Sequence, residues 1–401
     1  MKIVHIEDSF HPDAGYQISI MPKYLSQFGH DVYIITSEIT KIKNTALAFF
    51  DLGNIAEKDR AYTKKTGVKI IRVKPALNRK ILGRIVQSKR LYKTVDVLNP
   101  DVVYVHGNDT FTGIRYLLKK KLPYALVTDS HMLSMATENK FHRLFAAGYR
   151  KFVTPRILKN NIPVIRTQDD PYVEKSFAIP LSQAPWISYG SDTLLFHPDP
   201  DVKREFRKEN GIGDDDFVAV YTGKLDEPKG GKLLAETFRK KFDTKKNVVL
   251  VAVGGTAGEY GKEVEKIFSE SENRVIRFPT QKYCDLPRFY QAADLSVFAR
   301  QCSLSFYDAQ ACGLPVLSED NNINVDRCSH QNGWNFKAEN AEDFRAHIAA
   351  AADMPEKEYA AVGENAYRFI TEQYNYEDKA REYEKIIIDT YERFLRRGKN
   401  A

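Results

Sequence analysis

The stretch from Ala293 to Val316 combines an apolar strand, a hydroxyl-rich loop and an acidic helix in one short run. It reads A-D-L-S-V-F-A-R-Q-C-S-L-S-F-Y-D-A-Q-A-C-G-L-P-V. Free N–H groups at a helix start attract anions, and the acid on this helix, Asp308, can accept hydrogen bonds from a ribose diol. The stretch therefore predicts a phosphate and ribose site at the end of a buried strand.

Short β-branched runs alternate with helical patterns along the chain, which is typical of parallel α/β sheets. The runs in the first half are Lys2–Ile6, Asp31–Thr36, Val68–Val73, Asp101–Val105, Tyr124–Thr128, Pro163–Arg166 and Pro185–Ser188. Those in the second half are Phe217–Thr222, Asn247–Val253, Arg274–Phe278, Asp294–Phe298 and Leu314–Leu317. We predict two doubly wound α/β domains, with the carboxyl ends of both sheets facing one central cleft.

The boundary between the domains is predicted in Y-G-S-D-T-L-L-F-H-P-D-P-D, residues 189–201, because glycine and proline interrupt any regular pattern there. This divides the chain into domains at 1–189 and 190–375. Apolar residues at helical spacing then predict a terminal helix over 376–401, which we expect to cross back onto the first domain.

Composition sets outer limits on the class of protein. A chain of 401 residues exceeds one ordinary core, and its 43% hydrophobic content argues against disorder. The four cysteines form no C-x-x-C pair, so buried free thiols are expected rather than a disulfide framework or a zinc knuckle. No apolar run approaches membrane-spanning length, and we expect a cytoplasmic protein.

Positive charge concentrates in the basic segment, residues 58–93, where thirteen lysines and arginines accompany the single acid Asp59. Apolar residues at helical spacing predict an amphipathic helix from Ile81 to Leu98 with a basic outer face. A solvated face is one interpretation. Attraction to an anionic membrane surface or an anionic acceptor is the other. Nucleic-acid binding is not predicted, because no recognition motif accompanies the charge.

Several ordered motifs run the length of the chain. They are I-E-D-S-F-H-P-D-A-G-Y-Q at 6–17, F-G-H-D-V-Y-I-I-T at 28–36, Y-G-S-D-T-L-L-F-H-P at 189–198, G-K-L-D-E-P-K-G at 223–230, A-A-D-L through A-C-G-L-P-V at 292–316, and the predicted turn N-G-W-N-F at 332–336. Together they resemble GT-B glycosyltransferases of the retaining family 4 type (glycosyl transferases group 1). The resemblance implies two Rossmann-like domains, acceptor-side at 1–189 and nucleotide-sugar-binding at 190–375.

Lys224 and Lys229 resemble the cations that hold the donor diphosphate in this family, which assigns both as catalytic residues. Breaking the sugar bond leaves more negative charge on the diphosphate, so cations there stabilise the transition state more than the ground state. The family usually has arginine at the first of these positions. Lysine gives a point charge in place of a bidentate fork.

Asp308 lies where the family has the second glutamate of a pair, and the resemblance implies that it binds the ribose. The first glutamate, expected near the transferred sugar, falls at Arg300. Two explanations stay open. Either the loop register differs and Gln301 or Ser303 takes this role, or the donor sugar carries an acid group that Arg300 binds.

The resemblance implies further donor-binding residues, most of which would bind the donor through backbone groups. The amides of Leu304, Ser305 and Phe306, at the predicted helix start, are expected to bind the diphosphate. Gly15 allows close backbone approach after the first strand, and the base is expected near Phe278.

In the first domain, His131 resembles the histidine that faces the donor sugar, and polar contact with the sugar or leaving group is its expected role. His106 is a second candidate for the same cleft. Glu7, Asp8 and His11 lie on a loop expected to touch the acceptor.

The function implied is transfer of a sugar from a nucleotide-sugar, UDP being preferred to GDP, to a glycan or lipid-linked acceptor with retention of configuration. A role in cell-envelope or surface polysaccharide synthesis follows, with a possible peripheral membrane location. No cofactor is expected, and no metal, because the sequence shows no Asp-x-Asp motif. A sugar-nucleotide epimerase and a non-catalytic nucleotide-sugar-binding protein remain alternatives.

Overall fold

The chain divides into two units in the computed structural model, which describes residues 1–42, 50, 52–133 and 141–399. The N-terminal unit comprises Met1–Tyr189 and Glu377–Ala401, and the C-terminal unit comprises Gly190–Tyr376. Residues 400 and 401 of the predicted terminal helix lie outside the described residues.

The N-terminal unit contains a parallel sheet of six described strands in the order β3-β2-β1-β4-β5-β6. The strands are β1 (Lys2–Glu7), β2 (Asp31–Ser37), β3 (Lys69–Val73), β4 (Val102–Val105), β5 (Ala125–Ser130) and β6 (Val164–Arg166). Its helices, in chain order, are α1 (Gln17–Gln27), α2 (Ile55–Thr66), α3 (Lys89–Leu98), α4 (Phe111–Leu117), α5 (His142–Phe152), α6 (Thr154–Asn160) and α7 (Tyr172–Phe177).

The C-terminal unit repeats this plan, with six described strands in the order β12-β11-β10-β7-β8-β9. The strands are β7 (Phe217–Thr222), β8 (Val248–Val253), β9 (Arg274–Phe278), β10 (Leu295–Phe298), β11 (Val316–Glu319) and β12 (Gly333–Phe336). The helices are α8 (Pro200–Glu209), α9 (Gly231–Thr237), α10 (Gly258–Ser269), α11 (Pro287–Ala292), α12 (Ser305–Ala311), α13 (Asn322–Arg327), α14 (Ala341–Asp353) and α15 (Glu356–Gln373).

The terminal helix α16 (Tyr376–Lys399) belongs to the N-terminal unit from Glu377 onward. It buries Tyr383 and Ile387, and the Tyr383 hydroxyl donates to the carbonyl of Ile187 at 3.0 Å. A long helix with this apolar stripe gains most of its stability from such packing rather than from helix propensity alone.

The strand sequences explain why both sheets are central layers. β4 reads V-V-Y-V and β7 reads F-V-A-V-Y-T, and every residue of both strands is buried. Unbroken apolar strands are typical of parallel sheets covered by helices on both faces. The prediction of two doubly wound α/β domains is confirmed.

The order of each sheet creates one topological switch point, where neighbouring strands lead to helices on opposite faces and ligands bind beyond the carboxyl ends. In the N-terminal unit this point lies between β1 and β4. In the C-terminal unit it lies between β7 and β10. Residues that follow these four strands are therefore placed for binding.

Three local predictions are wrong. No strand forms at Pro185–Ser188, where a single bridge pairs Trp186 with Arg166, because Pro185 has no N–H to continue a ladder. The predicted helix from Ile81 begins only at Lys89. Residues 81–84 form a tight turn, with Leu82 and Gly83 both at positive φ. The predicted turn at 332–336 contains the edge strand β12.

All four cysteines are free thiols as expected, but only Cys312 and Cys328 are buried. Cys302 is partly exposed and Cys284 is exposed. Among the residues that the structure describes, no helix combines the length and hydrophobicity that crossing a bilayer requires.

Candidate functional site

Asp129 lies at the centre of a polar cluster at the carboxyl edge of the N-terminal sheet. It belongs to β5, and its side chain is fully buried. Its Oδ2 lies 2.8 Å from Nδ1 of His106, and its Oδ1 lies 3.0 Å from Nε2 of His131 and accepts from the Gly107 amide at 2.7 Å. Burial by itself would raise the pKa of Asp129, but the two histidines hold it well below its ordinary value.

His131 follows β5 directly and is the exposed member of this cluster, with 37% of its side chain accessible. Its Nδ1 lies 2.6 Å from the hydroxyl of Tyr189. Burial opposes ionisation, yet Asp129 and Tyr189 raise the pKa of His131 well above its ordinary value. Both ring nitrogens are engaged, so His131 is fixed in orientation, and Asp129 favours its positively charged form.

His106 follows β4 and extends the cluster inward. Its Nε2 lies 3.1 Å from Nδ1 of His5, and its ring stacks on Tyr104 with centroids 4.6 Å apart. Burial, together with the neighbouring His106, lowers the pKa of His5 well below its ordinary value. A hydrogen-bonded chain therefore runs from His5 through His106 and Asp129 to His131.

The same cluster offers three candidate metal ligands. Candidate atoms of His106, Asp129 and His131 lie within 4.8 Å of one another. A metal ion could bridge such a spacing, but hydrogen bonds join the three side chains here.

Glu7 is the last residue of β1, and Asp8 follows it at the switch point, whereas the sequence placed both residues on a loop. Burial raises the pKa of Glu7 to about 7, against the opposing charge of His106. Burial also raises the pKa of Asp8, whose Oδ1 accepts from Gln87 at 3.0 Å and from Thr112 at 3.1 Å. Glu7 is therefore placed to exchange a proton near neutral pH.

The other two predicted residues of this loop have different surroundings. His11 is 1% exposed, stacks on Phe50 with centroids 5.2 Å apart, and accepts from the amide of Asp13 at 3.1 Å. Its ring packs within the loop and offers little surface to an acceptor. Gly15 lies in the turn just before α1.

In the C-terminal unit, the loop after β7 carries both predicted lysines. Gly223 and Gly254, which follow β7 and β8, both have positive φ, and a Cβ at Gly254 would overlap the carbonyl oxygen of Gly223. Glycine is required there because the two loops touch through their backbones. The sequence reasoning missed Gly254, although Gly-Gly directly after a strand was a usable signal.

Lys229 reaches across to the loop that follows β10. Its Nζ donates to the carbonyl of Cys302 at 3.0 Å, and burial lowers its pKa. Lys224 and Arg327 act on the same ammonium and lower its pKa further. Arg327 donates to the carbonyl of Ser303 at 3.0 Å. Lys229 and Arg327 thus contact the same loop, with Lys224 near enough to act on Lys229, and Arg327 was not predicted from the sequence.

The helix start predicted within the opening stretch is present. α12 begins at Ser305 after Leu304, and Ser303 Oγ accepts from the Ser305 amide at 3.3 Å. The Phe306 ring is 1% exposed and packs in the core, so only its backbone could meet a ligand. Phe278 likewise packs its ring against Phe289, with centroids 4.9 Å apart.

Asp308 lies on the buried face of α12 and is 6% exposed. Its Oδ1 accepts from the Ser191 hydroxyl at 2.7 Å and from the Tyr283 hydroxyl at 3.1 Å. Burial raises its pKa to about 7, against the effect of these two donors. Its partners are therefore hydroxyls, the same donor type that a ribose diol offers.

Arg300 pairs with the carboxylate of Glu339 and also donates to the carbonyl of Glu227 at 3.4 Å. A cavity of about 420 Å³ opens beside it, lined also by Gly230, Lys232, Leu233 and Tyr260. The guanidinium thus has a carboxylate partner from the chain itself, on the rim of a cavity.

The structure brings an unpredicted carboxylate to the same loop. Glu319 ends β11, is 8% exposed, and its Oε2 accepts from the amide of Gln301 at 2.9 Å. Gln301 has a positive φ of 59°, which turns the chain between β10 and α12. Sequence reasoning missed Glu319 because the predicted strand ended two residues earlier.

Most of the C-terminal unit matches a known protein family. Residues 202–369 match the model of the family described as glycosyl transferases group 1. D-inositol 3-phosphate glycosyltransferase of Segniliparus rotundus is 25% identical over 274 residues, 63% of this chain and 59% of that protein. The chain thus spans less than two thirds of the length of that relative.

A second curated relative aligns over most of both chains. The probable sucrose-phosphate synthase of Thermosipho melanesiensis is 23% identical over 415 residues, covering 94% of this chain and 91% of that one. Among solved structures, Anabaena HepE in complex with UDP and glucose superimposes with a TM-score of 0.71 at 16% identity, covering 97% of this chain and all of that one. At this identity the likeness shows the fold, which is GT-B with two Rossmann-like domains.

Proposed function

We propose that this chain, a GT-B protein whose residues 202–369 belong to the glycosyl transferases group 1 family, moves a sugar from a nucleotide-sugar to a glycan or lipid-linked acceptor with retention of configuration. The observation that carries the proposal is the contact of Lys229 and Arg327 with the loop that leads into Asp308, with Lys224 close enough to Lys229 to lower its pKa. This contact lies at the switch point of the C-terminal sheet, where α/β folds bind ligands.

The three cations suit a nucleotide diphosphate. When the bond between the sugar's anomeric carbon and the diphosphate breaks, its electron pair stays on the phosphate oxygen. Fixed cations beside that oxygen stabilise the charge as it develops. Because Lys229 and Arg327 already hold backbone carbonyls of the 302–303 loop, they are positioned before any ligand arrives.

In the proposed chemistry the acceptor hydroxyl attacks the anomeric carbon on the face that the diphosphate leaves. The new bond is carbon to acceptor oxygen, the broken bond is carbon to phosphate oxygen, and the acceptor proton passes to the departing phosphate. No divalent cation takes part. Asp308 would accept hydrogen bonds from the ribose hydroxyls in place of those from Ser191 and Tyr283. The exchange is chemically matched, because the present donors and the ribose donors are all hydroxyls.

The proposed role of the N-terminal unit rests on His131 and Glu7. The charged His131 imidazolium, held by Asp129, would make polar contact with a reacting sugar. Glu7, with its pKa raised by burial, would accept a hydrogen bond from an acceptor hydroxyl. His106 would act through Asp129 as a positioning residue.

UDP is the preferred nucleotide, supported by the likeness to a structure that holds UDP and glucose. Named relatives act on inositol 3-phosphate and in sucrose-phosphate synthesis, and they support transfer over epimerisation. We further propose a cytoplasmic, peripheral location serving cell-envelope or surface polysaccharide synthesis. The basic segment would face anionic lipid, although Arg72 pairs there with Asp59 and Arg84 with Asp109.

The test is a calorimetric screen of UDP-, GDP- and ADP-sugars, followed by product analysis with the best-bound donor and a panel of glycan and lipid-linked acceptors. We expect a UDP-sugar to bind, transfer to continue in EDTA, and NMR to show an unchanged anomeric configuration. Flotation with phosphatidylglycerol vesicles, against phosphatidylcholine vesicles, examines the membrane location separately.

Three outcomes would contradict the proposal. Conversion of the donor sugar without an acceptor would indicate an epimerase. Binding without transfer to any acceptor would indicate a binding protein. An inverted product would rule out the retaining mechanism.

A further inference from the structure

A cavity of about 580 Å³ opens in the N-terminal unit beside α16, and none of the candidate site residues lines it. It lies beside Tyr124 and Ile162, which precede β5 and β6. The cavity is therefore at the amino edge of the sheet, whereas His131 follows the carboxyl end of β5. The six residues of β5 separate the two edges by about 17 Å at the usual rise of a strand.

The charge of this cavity is positive. Five cationic side chains line it, three from the segment after α4 and two from α16, and none of its described lining residues is acidic: Lys119, Lys120, Lys121, Arg393 and Arg397. None of the five forms an ion pair within the described part of the chain. Arg397 donates instead to the carbonyl of Asn160 at 2.6 Å. Uncompensated cations gathered around one concave surface favour an anion.

Two buried tyrosine hydroxyls lie in the same wall. Tyr116 and Tyr124 both line the cavity and are at most 2% exposed, and their hydroxyls lie close enough for each to act on the pKa of the other. Each hydroxyl has one hydrogen to donate, so a pair that shares one hydrogen bond keeps a second hydrogen for another acceptor. A ligand oxygen in the cavity would supply that acceptor.

The rest of the wall is apolar and aromatic. Leu122 and Leu126 line it, and so does Phe394, which lies one turn before Arg397 on α16. Guanidinium groups bind phosphate with two parallel hydrogen bonds. A volume of this size matches that of small-molecule sites, which are typically apolar with a few polar groups that fix orientation.

We propose that this cavity binds a phosphorylated organic molecule with an apolar or aromatic body, separate from the nucleotide-sugar site. The phosphate would lie between Arg393, Arg397 and the lysines, and the body would rest against Phe394 and the leucines. Because the wall is shared between α16 and the strands beneath it, occupancy would hold this helix to the sheet. Free phosphate esters and phospholipid head groups share this chemistry.

The experiment uses 1-naphthyl phosphate as the probe, titrated calorimetrically into the full chain. We expect saturable binding and a rise in melting temperature, since a ligand that binds only the folded state stabilises it. Lys121→Ala combined with Arg393→Ala should weaken binding at least tenfold. The matched control, Arg150→Ala with Lys151→Ala on α5, changes one arginine and one lysine outside the cavity and should leave the affinity unchanged. Tyr116→Phe, which removes only the hydroxyl, should weaken binding several-fold without unfolding the protein.

Further experiments distinguish a free phosphate ester from a lipid head group, and this cavity from the nucleotide-sugar site. Displacement of the probe by inorganic phosphate indicates a free phosphate ester, and displacement by phosphatidylglycerol vesicles but not phosphatidylcholine vesicles indicates a lipid head group. Lys229→Ala should leave probe affinity intact, so failure of the proposed glycosyl transfer would not affect this result. The proposal is overturned if the probe does not bind, if both double variants bind it equally well, or if Lys229→Ala abolishes binding.

Discussion

Nε2 of His131 lies 3.0 Å from Oδ1 of Asp129, so an exposed imidazole is held by a carboxylate that is itself fully buried. The pair is an electrostatic unit, because each partner moves the pKa of the other toward the charged form. Such a pair fixes both the charge and the orientation of the residue that faces solvent. Several consequences of this arrangement and of the C-terminal loop can be measured.

Replacing Asp129 with asparagine should lower the free energy of unfolding by about 1 kcal/mol, because it removes the counter-charge of an imidazolium that water already partly screens. It should also lower the pKa of His131, which an NMR titration of the imidazole would follow. If the pKa of His131 did not change in Asp129→Asn, the ion pair would not be the cause of its charge.

The same pair predicts a pH window for stability. Asp129 has a lowered pKa, so its contribution is present above its unfolded value of about 3.9 and is lost as pH falls through its folded value. His131 has a raised pKa, so its contribution is complete below its unfolded value of about 6.5 and is lost as pH rises through its folded value. Urea unfolding of wild type and Asp129→Asn from pH 3 to 9 should differ most between about pH 4 and 6.5. If the difference in free energy of unfolding between wild type and Asp129→Asn did not change with pH, the Asp129–His131 ion pair would not contribute to stability.

Lys229→Ala should reduce kcat/KM for sugar transfer by roughly 100-fold, since it removes a cation aimed at the departing diphosphate. Lys208→Ala, an exposed lysine of α8 in the same unit, is the matched control and should have no effect. Steady-state kinetics with the best-bound donor give the comparison. Equal activity of Lys229→Ala and Lys208→Ala would show that Lys229 has no part in catalysis.

Asp308→Asn should stabilise the protein at pH 8 on the order of 2 kcal/mol, yet weaken donor binding. Burial raises the pKa of Asp308 to about 7, so the folded state is penalised for its charge above that pH and not below pH 4. The stabilisation should therefore shrink as pH falls from 8 to 4. Unfolding at both pH values and calorimetry with donor test the two halves independently.

Arg300→Ala tests one of the two explanations left open for Arg300, and Glu319→Gln tests the carboxylate that the structure adds to the same loop. If Arg300 binds an acid group of the donor sugar, Arg300→Ala should weaken a uronic-acid donor about tenfold and leave neutral hexose donors unchanged. If the loop instead relies on Glu319, which holds the Gln301 amide, Glu319→Gln should lower kcat for every donor. Kinetics with paired neutral and acidic UDP-sugars distinguish the two.

The fold could be predicted from the sequence because strand patterns are local. Runs such as Phe217–Thr222 carry the apolar, β-branched signal of a parallel strand at each position. Errors arose where one residue changed the outcome. Leu82 and Gly83 adopt positive φ and form a turn where the apolar spacing predicted a helix. Pro185 has no N–H, so no strand extends from the bridge at Trp186.

The candidate site was predictable only in part, because side-chain partners depend on contacts distant in sequence. His131 and Asp308 could be singled out by position, but not the carboxylate that charges His131 or the hydroxyls that hold Asp308. Arg327 and Glu319 meet the 300–304 loop from elements that follow it. Nothing in their local sequence distinguishes them from ordinary residues at a helix end and a strand end.

The interrupted N-terminal unit has a consequence for biosynthesis. Residues 190–376 form a continuous unit that is complete when residue 376 has been made, whereas the N-terminal unit lacks its last helix until Tyr383 and Ile387 emerge. Although domains often fold in the order of synthesis, the second unit here can finish before the first. A nascent chain arrested shortly after residue 376 would expose the apolar bed of α16, a surface on which chaperones could act.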